Sequence, residues 1–488
     1  MLYSPPFARD RSLNATPPKL HIHFVAIGGT GTAPLAALLV ADGHRVTGSD
    51  SAVYPPMSTL LAASGIVPAV GFDPAHLAPP PDLVVIGNAV RRDNPEAVEC
   101  ERLGLPRLSM PEALARFFLA DRQPLVVAGT HGKTTTTALA AWTLHCAGLD
   151  PGFLVGGVPL DLGTSFRRGG GARFVVEGDE YNAAYFDRGA KFLHYRPQTA
   201  IVTSVEYDHA DLYPDAESFR DAFRRFVALI PPAGRLVAWG DDTELRAIAA
   251  TARCGVELYG EGAGNDVKFD APPVADERGM RFVVREASGE RHAVQLGVWG
   301  LHNATNALAV WAAVRGDGVP PAAIADAFAR FRGVRRRQEI VGEPAGVTIV
   351  DDFAHHPTAV AKTLAALRQR FAARRLLVAF EPRSLTAGRA FFLDGYRAAF
   401  GDADRVFLAP IFHRDRLAPG DRLDLAALAA DLTAAGVPTR PCDSIDEVED
   451  ALLAASAPGD VLVTMSSGSF AGLPQRLARR LAPPAPAR

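Results

Sequence analysis

Short apolar runs recur along this chain, each closed by a glycine or proline turn and followed by a longer Ala- and Leu-rich stretch. From His21 the order is strand, glycine turn, helix, strand in "HIHFVAIGGTGTAPLAALLVADGHRVTGSD", and another strand follows at "DLVVIGN" after the Pro-rich loop "LAPPPD". Alternating strands and helices imply a parallel sheet with crossover helices, so residues 21–120 are expected to form one α/β unit. A second unit opens near Pro124. There Leu125 to Ala128 read as a buried strand, "GTHGKT" as a turn, and Ala138 to Leu144 as the body of a helix. It continues through the strands "RFVVEGDE" and "TAIVTSVE". Between about 230 and 300, glycine-rich turns and short alternating strands such as "MRFVVREA" read as an antiparallel flank, and a helix follows at "GLHNATNALAVWAAV". A third unit begins near Gly333, with strands "VTIVDDF", "RLLVAFEP", "RVFLAP" and "VLVTMSS" separated by helical stretches. No internal repeat is evident, and low complexity is confined to the short tail "LAPPAPAR".

Composition narrows this little. At 488 residues the chain is too long for one core, and domains of ~100–200 residues suggest about three. The expected division is an extension at 1–20, then 21–120, 121–332 and 333–488. Lys plus Arg is 51 and Asp plus Glu is 54, so no basic field argues for nucleic acid. The four cysteines, Cys100, Cys146, Cys254 and Cys442, are far apart, which indicates neither a zinc site nor a disulfide framework. They read as small apolar residues in a reducing compartment. The first twenty residues lack the apolar run of a signal peptide, and no later stretch approaches the ~18 residues of a membrane span. A soluble, cytoplasmic protein is expected.

The second unit carries the plainest chemistry. A glycine-bearing strand-to-helix turn binds phosphate: Gly129 and Gly132 let backbone N–H groups point inward, and the helix start adds its positive dipole end. Lys133, on an exposed turn, is placed to reach terminal phosphates, and Thr134 to offer its hydroxyl to magnesium. Where the general pattern has its first glycine this chain has Val127, so the loop is a shortened variant. Glu177 directly follows a buried strand, the usual place for a carboxylate facing nucleotide-bound magnesium, and His209 lies just past another. Strand ends of a parallel sheet converge on one edge, which brings both toward the loop. Oxygen and imidazole ligands suit magnesium when water completes the octahedron.

The first unit holds "GGTGT", Gly28 to Thr32, with Asp50 closing the next strand, a spacing like that of a dinucleotide fingerprint. Such a turn also accepts other nucleotide diphosphates. In the third unit, "VDDFAHHP" and "FEPRS" both follow apolar strands. Arg383 is the better candidate there, since a guanidinium at a strand end grips a carboxylate bidentately; the alternative is a helix cap or a local ion pair.

Together these segments resemble the Mur ligase family, the ATP-dependent amide-forming enzymes of bacterial wall-precursor synthesis, from about His21 to about Leu473. "GTHGKTTT", "EGDE", "DHAD", "GLHNATNA", "GVRRRQE", "DDFAHHPTAV" and "MSSGSF" occur in the family's order. The resemblance implies an α/β protein of three domains: a Rossmann-like N-terminal sheet, a central P-loop ATPase-type domain and a Rossmann-like C-terminal domain. "YPPMSTLL", the tyrosine-rich segment after "EGDE", and "FEPRS" look like the recycling branch, which joins L-alanyl-γ-D-glutamyl-meso-diaminopimelate to UDP-N-acetylmuramate. The neighbouring branch, which adds L-alanine, is the alternative. By this resemblance ATP and Mg2+ are required, and the acid is activated as an acyl phosphate. Lys133, Glu177 and His209 are catalytic, and Thr134, Glu177 and His209 hold the metal. Gly129, Thr130, His131, Gly132, Lys133, Thr134 and Thr135 bind ATP, with His302 and Asn303 near adenine, Arg335 or Arg336 near the phosphates and Asp351 near the ribose. Gly28, Gly29, Thr30, Gly31, Thr32, Asp50 and Ser51 face the UDP-sugar, and Arg383 and Ser384 the peptide. Several relatives carry a carbamylated lysine where this chain has Phe223, so no modified lysine is expected. Pro34 also departs from the family's nucleotide turn. An NAD-dependent oxidoreductase leaves the phosphate loop and Glu177 unexplained, and a nucleotide-gated binding protein would lack an amide-forming partner site.

Overall fold

The computed structural model describes residues 19–208 and 212–482. His209 and the extension expected at the N-terminus, apart from its last residues, lie outside the described residues. The chain divides into two compact units. One runs to Ala113 and includes Ala184–Phe186; the other comprises Leu114–Ala183 and Asp187 onward.

The first unit is a five-stranded parallel sheet in the order Ala69–Val70, Arg45–Asp50, His21–Val25, Leu83–Ile86, Arg107–Ser109. The strand Leu83–Ile86 is buried throughout, as helix-covered parallel strands must be. A polar cluster gathers on Glu96, with His23 and Ser49 buried and His76 partly exposed. Glu96, fully buried, accepts from Ser49 Oγ at 2.5 Å and lies 2.6 Å from His76 Nδ1 and 3.3 Å from His23 Nε2. The tip of the tyrosine-rich segment belongs to this unit: Tyr185 donates to Glu101 at 3.0 Å, and Arg107 stacks over Phe186.

The second unit contains two sheets. In the larger, parallel strands run in the order Gly255–Gly260, Arg235–Trp239, Thr199–Val202, Gln123–Ala128, Arg173–Gly178, Gly152–Leu154. The expected antiparallel flank is present, but it begins later than about 230: Arg235–Trp239 and Gly255–Gly260 are parallel, and Gly279–Arg285 pairs antiparallel with Val267–Phe269, Val274–Asp276 and Arg291–Leu296. The helices Lys133–Cys146 and Leu301–Arg315 share one core with these strands. Most residues of both helices are buried, as expected of helices covered on nearly every side. The smaller sheet runs Glu339–Gly342, Thr348–Asp352, Val461–Met465, Leu376–Phe380, Arg405–Leu408, Thr439–Pro441, parallel except for its first strand. All four strands expected in this region are present. No described helix is long and apolar enough to cross a membrane. Of the cysteines, Cys100 and Cys442 are buried, Cys146 and Cys254 partly so, and all four are free thiols.

Candidate active site

Register fixes the site. Val127 pairs with Glu177 and Ala128 with Gly178, while Val202 sits opposite Ala128 on the other side. The strand ends therefore deliver the phosphate loop, Glu177 and the segment after Val202 to one edge. The loop needs its glycines: Gly129 has φ +131° and Gly132 φ +82°, where a side chain is strained. A Cβ on Gly132 would also stand 2.8 Å from Asn306 Oδ1. Asn306 thus lies directly against the loop, three residues after Asn303 on the same helix face.

Lys133 is largely buried, not exposed as the turn suggested. Its Nζ donates to Gly129 O at 2.6 Å and lies 2.9 and 3.2 Å from the two oxygens of Glu180, itself 2 % exposed. Burial alone would lower the ammonium's pKa; Glu180, helped by Asp179 and Glu177, raises it instead. Glu180 was not among the expected residues. A charged lysine held in a buried loop requires such a partner, and the second glutamate of "EGDE" supplies it.

Thr134 and Glu177 meet as expected. The threonine hydroxyl donates to Glu177 Oε2 at 3.1 Å, and Gly156 N donates to Oε1 at 2.5 Å. Burial, with the Asp179 charge beside it, pushes the Glu177 carboxyl up to about 7, against the opposing pull of Gly156, Lys133 and Arg337. A hydroxyl and a carboxylate side by side form a hard-oxygen donor set that fits Mg2+. Gly156 leaves room for it: a Cβ there would come within 3.1 Å of both Glu177 oxygens.

Of the three consecutive arginines, Arg337 reaches the loop, donating to Thr134 Oγ1 at 3.4 Å. Arg336 instead donates to Ser466 O at 2.7 Å, and to Gly468 O, and pairs with Asp351 at 3.3 Å. Arg335 is tied down through its backbone, donating N–H to Val158 O at 2.9 Å. Asp351 is buried, which raises its carboxyl to about 6 against the pull of Arg336. His302 lies 3.4 Å from Gln338 Nε2, and enclosure by neighbouring atoms, with the Lys362 charge, lowers it to about 3. Asn303 is buried and turned back on its own helix start, donating to Trp299 O at 2.7 Å. Thr130 and His131 engage the segment after Val202, chiefly Ser204 and Glu206, and Thr135 is half-buried.

In the first unit, Gly28 N donates to Asp50 Oδ2 at 2.8 Å, and Ser51 Oγ donates to Asp50 Oδ1. A Cβ on Gly28 would stand 2.9 Å from that carboxylate. The turn from Gly28 to Gly31, with Thr30 exposed, opens onto the helix Thr32–Ala41. Gly29 accepts from the Thr32 hydroxyl, which also donates to Ala26 O. Pro34 sits in that helix's first turn, where its missing N–H costs nothing.

Near the third sheet's edge, Arg383 lies flat on Phe412, 3.7 Å from the ring centroid, and only 3.5 Å from Glu381. Ser384 accepts from Ala387 N at 3.0 Å, a local turn bond. It also lines a cavity of about 250 Å3 with Asp208, His355, Thr386, His413 and Arg416.

A phosphate loop at a strand end, a carboxylate beside its threonine and a guanidinium converging on both define an enzyme that handles nucleotide phosphates. Three family models match the chain in sequence: the Mur ligase family catalytic domain over residues 21–122, the Mur ligase middle domain over 127–314 and the Mur ligase glutamate ligase domain over 336–468. The chain belongs to the Mur ligase family. It is 39% identical over 465 residues, covering 95% of this chain and 98% of the relative, to the UDP-N-acetylmuramate--L-alanyl-gamma-D-glutamyl-meso-2,6-diaminoheptandioate ligase of Escherichia coli (strain K12). To the UDP-N-acetylmuramate--L-alanine ligase of Burkholderia pseudomallei (strain 668) it is 37% identical, covering 94% of this chain and 97% of that one. Among solved structures, the murein peptide ligase of Psychrobacter arcticus 273-4 superposes with a TM-score of 0.73 at 34% identity, covering 96% of this chain and 100% of that one.

Proposed function

We propose that this chain is an ATP-dependent ligase joining the amine of L-alanyl-γ-D-glutamyl-meso-diaminopimelate to the lactyl carboxylate of UDP-N-acetylmuramate, in the recycling of peptidoglycan. The observation that carries it is the junction of Thr134 Oγ1, Glu177 and Arg337 at a phosphate loop whose lysine is already charge-paired. Identity to the diaminoheptandioate ligase over nearly the whole of both chains supports the acceptor.

A carboxylate is a poor electrophile toward an amine, so it must first gain a leaving group. The carboxylate oxygen attacks the γ-phosphorus of ATP, the bond to the β-phosphate oxygen breaks, and ADP departs. The peptide amine then attacks the acyl carbon; the C–O bond to phosphate breaks, inorganic phosphate leaves and the amine loses a proton. This chain's work is positioning and charge neutralisation. Lys133 offsets charge on the transferring phosphate, and Arg337 adds a second cation on the same side. Thr134 and Glu177 would hold Mg2+, with His209 as a further ligand; the ion supplies charge neutralisation of the phosphate oxygens. In this reading His302, Asn303 and Asp351 border the nucleoside. Gly28 to Thr32, Asp50 and Ser51 bind the UDP-sugar in the first unit, domain boundaries lie near 120 and 332, and the enzyme works in the cytoplasm.

Phosphate release measured with UDP-N-acetylmuramate against L-alanine and against the tripeptide tests this. The tripeptide should be ligated far better. Arg383→Ala, which removes the guanidinium from Phe412, should weaken use of the peptide's carboxylates and leave ATP affinity nearly unchanged. Preference for L-alanine moves the assignment to the other branch of the family.

A further inference from the structure

Three polar side chains from two distant parts of the chain converge on Glu206, a residue that the reaction above does not use. From the phosphate loop, His131 Nε2 lies 2.8 Å from Glu206 Oε2. From the start of the helix Pro357–Arg370, 152 residues away in sequence, Thr358 Oγ1 donates to Glu206 Oε1 at 2.8 Å. His356 Nε2 stands 4.0 Å from that same oxygen. The Glu206 backbone is bound to the loop as well, since its N–H donates to Thr130 Oγ1 at 2.9 Å and its carbonyl accepts from that hydroxyl at 2.7 Å.

Two imidazoles and a carboxylate this close resemble a metal site, but the hydrogen bonding argues otherwise. His356 Nδ1 accepts from Thr358 N at 3.3 Å, capping the helix, so its neutral ring carries the proton on Nε2, the atom that faces Glu206. The group is a carboxylate surrounded by donors. Burial alone would raise the Glu206 pKa, whereas the bond and charge of His131, with Thr358 and His356, hold it at about 2. It also faces the N-terminal end of a fourteen-residue helix, where negative charge is favoured.

We propose that Glu206 is a positioning residue through which the helix Pro357–Arg370 holds the phosphate loop in its phosphate-binding shape. Thr130 and His131 are fixed from one side by Ser204 and from the other by Glu206, and Glu206 is aimed by Thr358. A hydroxyl beside the third sheet thereby sets nucleotide affinity in the middle region of the chain.

The test is calorimetric titration of the full chain with a non-hydrolysable ATP analogue and magnesium. Thr358→Val is nearly isosteric and removes only the hydroxyl; losing one hydrogen bond to a half-exposed carboxylate should weaken binding about five- to ten-fold. Thr358→Ser should restore it. In a Glu206→Ala background, where binding is already weakened, Thr358→Val should cause no further loss, because the hydroxyl acts through that carboxylate. Normal binding by Thr358→Val, or losses that multiply in the double variant, overturns the coupling. Failure of the unsubstituted chain to bind the analogue sinks the ligase reading itself, and the coupling with it.

Discussion

Lys133→Ala should fail in two separable ways, because the ammonium has two tasks. Its side chain is 13 % exposed and that of its partner Glu180 only 2 %. Deleting the amine removes the cation that faces a buried carboxylate, and breaking a buried pair from one side costs about 3–5 kcal/mol. At about 2 °C per kcal/mol for a unit of this size, the unfolding midpoint should fall by roughly 6–10 °C. Lys133→Ala combined with Glu180→Gln removes the buried negative charge and should recover most of that loss. Turnover should not recover: the charge offered to the transferring phosphate is still missing, worth at least ~100-fold in rate. Scanning calorimetry reports the first effect and phosphate release with both acceptor substrates the second. A single variant that melts like the unsubstituted chain would refute the ion pair, and near-normal turnover in either variant would refute the phosphate-loop assignment.

Glu177→Gln should raise the magnesium concentration for half-maximal rate by about ten-fold or more, since a neutral amide replaces a charged oxygen ligand; an unchanged magnesium curve makes Glu177 structural. Glu96 should carry acid-sensitive stability in the first unit. Burial would raise its pKa, but hydrogen bonds from His23, Ser49 and His76 bring it below the ordinary 4.5. A depressed carboxylate stabilises the fold above its unfolded value and loses that contribution as pH falls through the folded one. Glu96→Gln should therefore cost about 1–3 kcal/mol at pH 7, and the gap to the unsubstituted chain should narrow below pH 4.5, whereas a constant gap in calorimetry from neutral to acid pH would contradict the network.

The elements legible in the sequence were those whose burial writes itself as an apolar run. Leu83–Ile86, Thr199–Val202, Leu376–Phe380 and Val461–Met465 are all buried along their length. Thr439–Pro441 is an edge strand with two exposed residues, and Glu339–Gly342 is half-buried throughout; neither carries a periodic signal. The site divides in the same way. Thr134 and Glu177 could be paired because strand ends converge on one edge. Arg337 could not be told from its neighbours, because Arg336 at φ +58° and Gln338 at φ +53° bend the backbone in a way that no propensity encodes. That bend sends Arg336 to Asp351 and Arg337 to Thr134. Glu206 and Thr358 are joined only by tertiary folding. The spacing of Asn303 and Asn306 was readable as one helix face, but the need for it appears only beside Gly132.

Gly468 shows how a position without chemistry of its own can govern one that has it. Its φ is not in the left-handed region, so the backbone there would tolerate any residue. What it lacks is space: a Cβ would collide with the Arg383 guanidinium, and Arg336 is already bound to its carbonyl. A side chain at 468 would thus lift Arg383 off Phe412 and act as an Arg383 variant with the arginine still present. Positions 383 and 468 consequently form a single steric unit, in which the arginine's orientation is encoded 85 residues downstream as the absence of a methyl group.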